Sequence, residues 1–249
     1  MDALRELLRS EDVFVRRRLA YGGFIGRKYP YFYMETPKAA CTATKAILWQ
    51  VEDLGPVPRP DLLHVRLPTD PRPSPLSVSE DEALAALSGR SAFRFFVWRD
   101  PVDRLRSAFH DKIHLARDPG PEWDWWRSRI CNAFGLRPDQ AISFEQFAEF
   151  VCATPDDARD EHFMSQHRLL LIDRIPFDYV VRTDDYVNGM TEVLRTVGVP
   201  RDRWPPLERR YNETGSDAVP VSDALAAKIR HAFRAGYEII EAYRAAGAA

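Results

Sequence analysis

The sequence lacks the features that would place this chain in a membrane, on a nucleic acid or in a disulfide scaffold. No apolar run reaches the roughly 18 residues of a membrane-spanning helix, and the charged start MDALRELLRSEDVF has no signal-peptide core. The chain has 35 basic and 37 acidic side chains, which argues against general attraction to polyanions. Its 3 cysteines follow no metal-ligand spacing. These absences predict a cytoplasmic protein with no nucleic acid, no membrane and no metal as partners.

The length of 249 residues suffices for one domain with a sizeable core. We predict an N-terminal helical segment over residues 1–28, with one helix over residues 1–20 in which Arg16, Arg17 and Arg18 form a solvated face. Residues 31–200 form the core of the domain, and residues 201–249 a loop rich in Arg and Asn followed by a C-terminal helix. About five strands are expected, among them 31–34, 62–67, 93–98 and 176–181, with the last helix at 222–245. Ser143 and Gln146 are expected to form a capping box at the start of another helix.

The segment YFYMETPKAACTATKAIL (31–48) is the first candidate site. A strand of aromatic residues runs into a loop of small residues, and helix formers such as Lys45 and Leu48 follow. Backbone N–H groups at such a helix start favour a phosphate, and Lys38 adds a full positive charge. The loop lacks glycine, and Lys38 precedes the small residues, so the pattern GxxxxGK[ST] of nucleoside triphosphatases is absent. The alternative is a purely structural turn.

A second candidate site follows in FRFFVWRDPVDRLRSAFHDK (93–112). An apolar run of strand length ends at Arg99, and a helix containing Ser107 follows. Ligands of open α/β sheets bind beyond the carboxyl ends of the strands, so Arg99 and Lys38 are expected at one crevice. Two anion sites there indicate a ligand with two phosphate groups. The alternative role of Arg99 is in a helix cap with Asp100 or Asp103.

Both segments resemble motifs of one enzyme family. PKAACTATK resembles the 5′-phosphosulfate loop, and RDPVDRLRSAFHDK the 3′-phosphate element RDPxxRLxSAYxxK, of carbohydrate sulfotransferases of the chondroitin and HNK-1 type, which use 3′-phosphoadenosine 5′-phosphosulfate (PAPS). Residues 160–186 are similar to the family's later segment NEHW…YDxxGxxE. The chain departs from the pattern at Phe109, which replaces tyrosine, and at Asp184, which replaces glutamate; the paired cysteines of the animal enzymes are missing.

The resemblance implies an α/β fold with a mostly parallel sheet between helices, similar to P-loop kinases, in a soluble bacterial relative. It also implies transfer of a sulfuryl group from PAPS to a hydroxyl of a carbohydrate or other small acceptor, without a metal. Lys38 would neutralise the leaving phosphate, Arg99 and Ser107 would bind the 3′-phosphate, and Arg210 would cover the nucleotide. The remaining contacts to the phosphosulfate would come from Ala39, Ala40, Cys41, Thr42, Ala43 and Thr44.

Two histidines are candidates for the base that accepts the proton of the acceptor hydroxyl. His64 lies in the predicted strand 62–67, between the two PAPS elements, where related glycan sulfotransferases carry their catalytic histidine. His162 lies in DEHF, which matches NEHW of the family. We rank His64 narrowly above His162, and Glu35 is a weaker candidate. A structural role remains open for each histidine.

The sequence is also compatible with two other functions. The chain could be a non-catalytic nucleotide- or glycan-binding protein of the same fold, or a kinase similar to the P-loop kinases, although no carboxylate stands out as a ligand for Mg²⁺. Trp123, Trp125 and Trp126 are either a flat surface for a sugar or a hydrophobic anchor for residues 121–134.

Overall fold

A computed structural model describes residues 1–65, 70–114, 120–209 and 220–247, the last four of these by their backbone only. In these residues one sheet is formed by β1 (Gly23–Ile25), β2 (Tyr31–Met34), β3 (Phe93–Trp98) and β4 (Tyr179–Arg182). The spatial order of the strands is their chain order. β1 pairs antiparallel with β2, whereas β2, β3 and β4 are parallel. The predicted α/β class with a mostly parallel sheet is confirmed.

Helices connect and flank these strands. The α-helices of the described residues are α1 (Asp2–Leu8), α2 (Val13–Arg17), α3 (Cys41–Val51), α4 (Glu80–Leu87), α5 (Pro101–Ala108), α6 (Pro121–Phe134), α7 (Phe144–Ala153), α8 (Gln166–Leu169), α9 (Tyr186–Thr196), α10 (Asp223–Ala232) and α11 (Arg234–Gly247). One turn of π-helix follows α2 at Arg18–Gly22, and another follows α5 at Phe109–His114. Over the described ranges, none of the helices combines the length and the apolar character needed to cross a membrane.

The described residues divide into two compact units. The first unit contains residues 1–65, 70–98, 166–209 and 243–247, and the second contains residues 99–114, 120–165 and 220–242. The whole sheet lies in the first unit. The second unit consists of helices and the segments that join them.

The first unit is built on the two central strands. The apolar runs of β2 and β3 are almost entirely buried, as expected for parallel strands covered on both faces. α4 packs against both of these strands, and α9 packs against β4. The core joins Tyr33 and Phe95 of the sheet with Ile47 and Leu48 of α3 and Val193 of α9. The close packing of these side chains fixes the position at which α3 begins relative to the end of β2.

The second unit has its own core. Leu105, Trp126, Phe147, Phe163 and Ile229 are all buried in it and come from α5, α6, α7, the following loop and α10. The predicted capping box at the start of α7 is confirmed, because Ser143 and Gln146 bond to each other's backbone amides.

The prediction of one helix over residues 1–20 is wrong. α1 and α2 are separate, and β1 begins within the segment 1–28 that was expected to be helical. Arg16 and Arg17 are exposed as predicted, but Arg18 is only 1% exposed. Its guanidinium donates to the carbonyl oxygens of Leu169 at 2.8 Å and Glu35 at 2.5 Å. These carbonyls satisfy a buried cation, which is why Arg18 differs from its neighbours.

Two further elements differ from prediction. Residues Leu62–His64 form a turn of 3₁₀-helix and not a strand, because the amides of Leu62 and Leu63 bond back to the carbonyl of Arg59. The expected C-terminal helix 222–245 is two helices, α10 and α11, with Phe233 between them at φ −115°.

Candidate active site

The loop between β2 and α3 has the geometry of an anion-binding turn. Lys38 and Ala40 have left-handed backbone conformations, with φ of 66° and 51°. The amide of Ala39 bonds to the carbonyl of Thr36 at 3.2 Å, which closes the turn before α3. Within the described part of the chain, the N-cap residue Ala40 offers no side-chain acceptor to this helix, and the amides of a first helical turn have no acceptor within their own helix. The predicted helix start is therefore present, and a helix start favours the binding of a phosphate.

The donors around this loop fit a phosphate group chemically. Lys38 is partly exposed, and the Oγ1 atom of Thr36 is buried with no hydrogen-bond partner among the described residues. Thr44 has a different role from the one expected, because its hydroxyl donates to the carbonyl of Ala40 at 3.1 Å and lies 2.9 Å from the hydroxyl of Tyr186. Thr44 thus holds the first turn of α3 together.

A polar cluster with a buried lysine lies beside the first turn of α3. The Nζ atom of Lys45 lies 2.5 Å from Oε2 of Glu35 and 2.7 Å from Nδ1 of His64. Nε2 of the same imidazole lies 2.9 Å from Oγ1 of Thr42. The side chain of Lys45 is 2% exposed and that of Glu35 is 14% exposed. The structure therefore brings the predicted residues Thr42, His64 and Glu35 together, and Lys45 joins them.

Glu35 is held as a carboxylate in this cluster. Burial alone raises its pKa, but the positive charges of the neighbouring basic groups, Lys45 foremost and Arg18 among them, outweigh burial and lower the pKa below its ordinary value. A carboxylate with a lowered pKa is a poor acceptor for the proton of a hydroxyl group. Glu35 is better suited to hold Lys45 than to act as the base.

Three side chains of this cluster could in principle bind a metal ion. One ligand atom each of Glu35, Cys41 and His64 lies within 4.8 Å of the others. The ammonium group of Lys45 already bonds two of the three, so a metal ion would have to displace a buried cation. The prediction that the protein binds no metal stays a prediction.

The end of β3 leads into the second unit, where α5 is capped by the residue after Arg99. The carboxylate of Asp100 accepts the amide of Val102 at 2.8 Å and the hydroxyl of Tyr237 at 3.0 Å. Burial, followed by the charge of Asp100, raises the pKa of Tyr237. Asp100 therefore caps α5 with its own carboxylate, and the alternative cap, in which Arg99 pairs with Asp100 or Asp103, stays a prediction. Arg99 is partly buried, and Ser107 lies on α5 with 5% of its surface exposed.

His162, the other predicted base, forms a pair with Asp160 in the second unit. One carboxylate oxygen of Asp160 accepts both the amide of His162 at 2.9 Å and its Nδ1 at 2.7 Å. Burial raises the pKa of Asp160, but the bonds from His162 more than offset this and lower it. The buried guanidinium of Arg104 holds the same loop through the carbonyls of Glu161 and Met164. The imidazole of His162 is thus oriented and 29% exposed.

The tryptophan cluster divides between two environments. Trp123 and Trp126 are 6% and 5% exposed, and Trp126 packs edge to face on Phe163 with ring centroids 4.9 Å apart. Trp125 is 52% exposed, and the guanidinium of Arg129 lies over its ring at 4.8 Å. Two of the three rings anchor α6 to the core, as one of the two predicted roles requires.

Sequence reasoning missed three residues of these sites. Lys45 carries no local signal other than its position directly after the small-residue loop. Arg18 is one of three consecutive arginines, and only the structure distinguishes it from the other two. Asp160 precedes His162 by two residues, a spacing at which an aspartate can accept an amide and a ring N–H together. Arg210, predicted to cover the nucleotide, lies outside the described residues.

Comparison with known proteins agrees with these motifs. The profile of the sulfotransferase family matches residues 23–234, which include both candidate sites. Carbohydrate sulfotransferase 14 of Mus musculus and of Homo sapiens are each 23% identical to this chain over 211 residues, which is 82% of this chain and 54% of theirs. This chain spans about half the length of the curated relatives it matches. No solved structure matches significantly. The extent of the family match establishes that the chain belongs to the sulfotransferase family.

Proposed function

We propose that this protein transfers a sulfuryl group from PAPS to a hydroxyl group of an acceptor and releases adenosine 3′,5′-bisphosphate. The observation that carries the proposal is the turn between β2 and α3. It has two left-handed residues, a helix start whose N-cap residue is alanine, and an adjacent lysine, and it lies within the family match. PAPS supplies the activated sulfuryl group, and every other contribution comes from side chains and amides of the chain.

Lys38 and the amides of the loop stabilise negative charge. Sulfuryl transfer, like phosphoryl transfer, depends mainly on positioning and on electrostatics at the leaving oxygen. We assign the leaving phosphate to the ammonium of Lys38 and to donors of the loop, which are provided by Ala40, Cys41, Thr42 and Ala43. The amide of Ala39 and both donors of Thr44 already bond to carbonyls of the loop. Amides fixed at a helix start need no reorganisation when charge develops, which favours the transition state.

A second anion site is assigned to the 3′-phosphate of the donor. Arg99 supplies a guanidinium that bonds two phosphate oxygens at once, and Ser107 supplies a hydroxyl. We assign Arg210 to the nucleotide, as the family resemblance implies. Specific binding of the 3′-phosphate is what separates a PAPS site from an ATP site.

His162 is the better candidate for the proton acceptor. Its Nδ1 donates to the carboxylate of Asp160, so Nε2 carries the lone pair that accepts a proton, and the carboxylate stabilises the resulting imidazolium. Both nitrogens of His64, by contrast, already bond to Lys45 and Thr42. We therefore propose His162 as the base, which reverses the order expected from the sequence.

The acceptor is a hydroxylated molecule, and a carbohydrate is the first class to test because the two relatives are named carbohydrate sulfotransferases. A small hydroxylated metabolite uses the same chemistry. A single sulfotransferase domain over residues 1–249, a bacterial source and a cytoplasmic location stay predictions.

The proposal is tested by incubating the protein with PAPS and a panel of oligosaccharides and small alcohols. We expect at least one acceptor to gain the mass of one SO₃ group, and the gain should be lost in Lys38→Ala. Binding of adenosine 3′,5′-bisphosphate without transfer to any acceptor would support the non-catalytic binding protein instead. Transfer of phosphate from ATP would identify a kinase.

A further inference from the structure

We infer that His64 is a positioning residue of the phosphate loop, fixed in one tautomer by Lys45, and that it does not accept the proton of the acceptor. The inference rests on the proposed function, because it assigns a role in the same site. Its basis is the chain of contacts from Glu35 through Lys45 and His64 to Thr42.

The tautomer follows from the chemistry of the contacts. Lys45 is paired with the carboxylate of Glu35, and an ammonium group has three donors and no acceptor. Nδ1 of His64, 2.7 Å from this ammonium, must therefore accept. A neutral imidazole then carries its hydrogen on Nε2, which donates to Oγ1 of Thr42 at 2.9 Å. Nε2 bears no lone pair in this state, so it cannot take a proton from a substrate.

The position of His64 is fixed by its neighbours in the chain. The guanidinium of Arg72 donates to the carbonyl of Leu63 at 2.9 Å and to the carbonyl of Val65 at 3.2 Å, on either side of His64. Arg72 itself pairs with Asp70. Its guanidinium also lies 5.3 Å from the ring centroids of both Phe24 and Trp49. These hydrogen bonds hold the backbone of the turn in place, although His64 itself is exposed.

Lys45 cannot easily release the imidazole. It is 2% exposed, and its ammonium also lies 5.8 Å from the ring centroid of Phe24. Moving Lys45 would leave the buried carboxylate of Glu35 without the cation that lowers its pKa. The network therefore couples the end of β2 to the first turn of α3, where Thr42 belongs to the proposed phosphate loop.

The deciding variant is His64→Gln. Glutamine offers one amide oxygen to accept from Lys45 and one amide nitrogen to donate to Thr42, but it cannot act as a base. We expect His64→Gln to retain most of the wild-type turnover and of the affinity for adenosine 3′,5′-bisphosphate. His64→Ala, with neither group, should raise KM for PAPS and weaken bisphosphate binding by about 3–10-fold, the effect of losing one hydrogen bond in the loop.

A double-mutant cycle separates positioning from general stability. Thr42→Val removes the hydroxyl that His64 contacts, so the part of its effect on bisphosphate affinity that acts through His64 should disappear in the His64→Ala background. If the effects of the two substitutions on bisphosphate affinity are additive, His64 and Thr42 are not coupled and the inference is overturned. A loss of about 10²–10⁴-fold in kcat for His64→Gln, with bisphosphate affinity unchanged, would identify His64 as the base and overturn the inference.

The tautomer is measurable without any turnover. Long-range ¹H–¹⁵N NMR of the imidazole, assigned through His64→Gln, should show the hydrogen on Nε2 in the unliganded wild-type protein. A hydrogen on Nδ1 would overturn the inference. If the wild-type protein neither binds bisphosphate nor transfers sulfate, the proposed function fails, but the NMR result still decides the tautomer.

Discussion

The ion pair of Lys45 and Glu35 is the residue-scale feature with the largest expected effect on stability. Lys45→Met removes the cation and leaves a buried carboxylate behind, which costs about 3–5 kcal/mol of unfolding free energy. Urea unfolding measures this loss. The double variant Lys45→Met/Glu35→Gln should recover most of it, because no buried charge then remains. Lys228→Met, at a pair with Glu149 whose side chains are 51% and 39% exposed, should cost less than about 1 kcal/mol.

The same pair makes stability depend on pH. The folded-state pKa of Glu35 is lowered, so its stabilising contribution is present above the unfolded-state pKa and is lost as pH falls through the folded-state pKa. The free energy of unfolding of the wild type should therefore fall more steeply in acid than that of Lys45→Met/Glu35→Gln. If the free energies of unfolding of the two proteins fall in parallel as the pH is lowered, the stabilising role of this ion pair is contradicted.

Asp160 controls the tautomer of the proposed base. In Asp160→Asn the side-chain amide can donate to Nδ1 of His162, which places the imidazole hydrogen on Nε2 and blocks proton acceptance. We expect a loss of turnover approaching that of His162→Ala, about 10²–10⁴-fold, with bisphosphate affinity unchanged. The pH profile of kcat is the second readout, since its acid limb should change in this variant.

A matched control for Asp160→Asn exists in the first unit. Asp173 lies 2.9 Å from His167, and its side chain is 76% exposed. Asp173→Asn changes the same type of pair at a site with no proposed role, so turnover should stay within twofold of the wild type, about 0.4 kcal/mol. Equal losses in both variants would indicate a general effect on stability and not a role of His162.

The sequence predicts the chemistry of single residues, but it does not predict which residues they contact. Lys38 and His162 stand in motifs that indicate phosphate and proton chemistry. Lys45 stands in a helix-forming run, and nothing local shows that it contacts His64, 19 residues later. Arg18 contacts Leu169, 151 residues later. Such pairings depend on the tertiary fold, which is why the predicted solvated face failed at Arg18 alone.

At the scale of elements, the start of α3 combines the proposed phosphate site with backbone strain. Ala40 has φ 51°, and the left-handed region costs a residue with a Cβ atom about 1–2 kcal/mol. Ala40→Gly removes this cost, in part offset by the greater freedom of glycine in the unfolded chain. We expect a net rise in the melting temperature. Ala39→Gly, at a fully buried neighbour without positive φ, should lower it.

Elements encoded by local pattern were predicted well. β2 and β3 are apolar runs of strand length, and the capping box of α7 is a local motif, so both needed no distant information. The segment 62–67 also has an apolar pattern, but its first residues form a turn. A strand requires a neighbour in the sheet, and the sequence does not encode that neighbour locally.

At the scale of the whole molecule, ligand binding should stabilise the fold. A ligand that binds only the native state at 100 times its Kd adds about 2.7 kcal/mol to the free energy of unfolding. Adenosine 3′,5′-bisphosphate should raise the melting temperature by a corresponding amount, and ATP with Mg²⁺ should raise it much less. Differential scanning fluorimetry measures both. Equal shifts with AMP and with the bisphosphate would contradict a separate 3′-phosphate site at Arg99 and Ser107.

The bond from Arg18 to Leu169 bears on how the chain folds during synthesis. The strands of the sheet lie in chain order, so β1, β2 and β3 can pair as they leave the ribosome. The carbonyl that satisfies Arg18 is 151 residues further along, which at 5–20 residues per second is a delay of roughly 8–30 s. Throughout that interval the nascent first unit carries a cation without one of its final acceptors, and the unit can reach its native packing only after Leu169 has been translated.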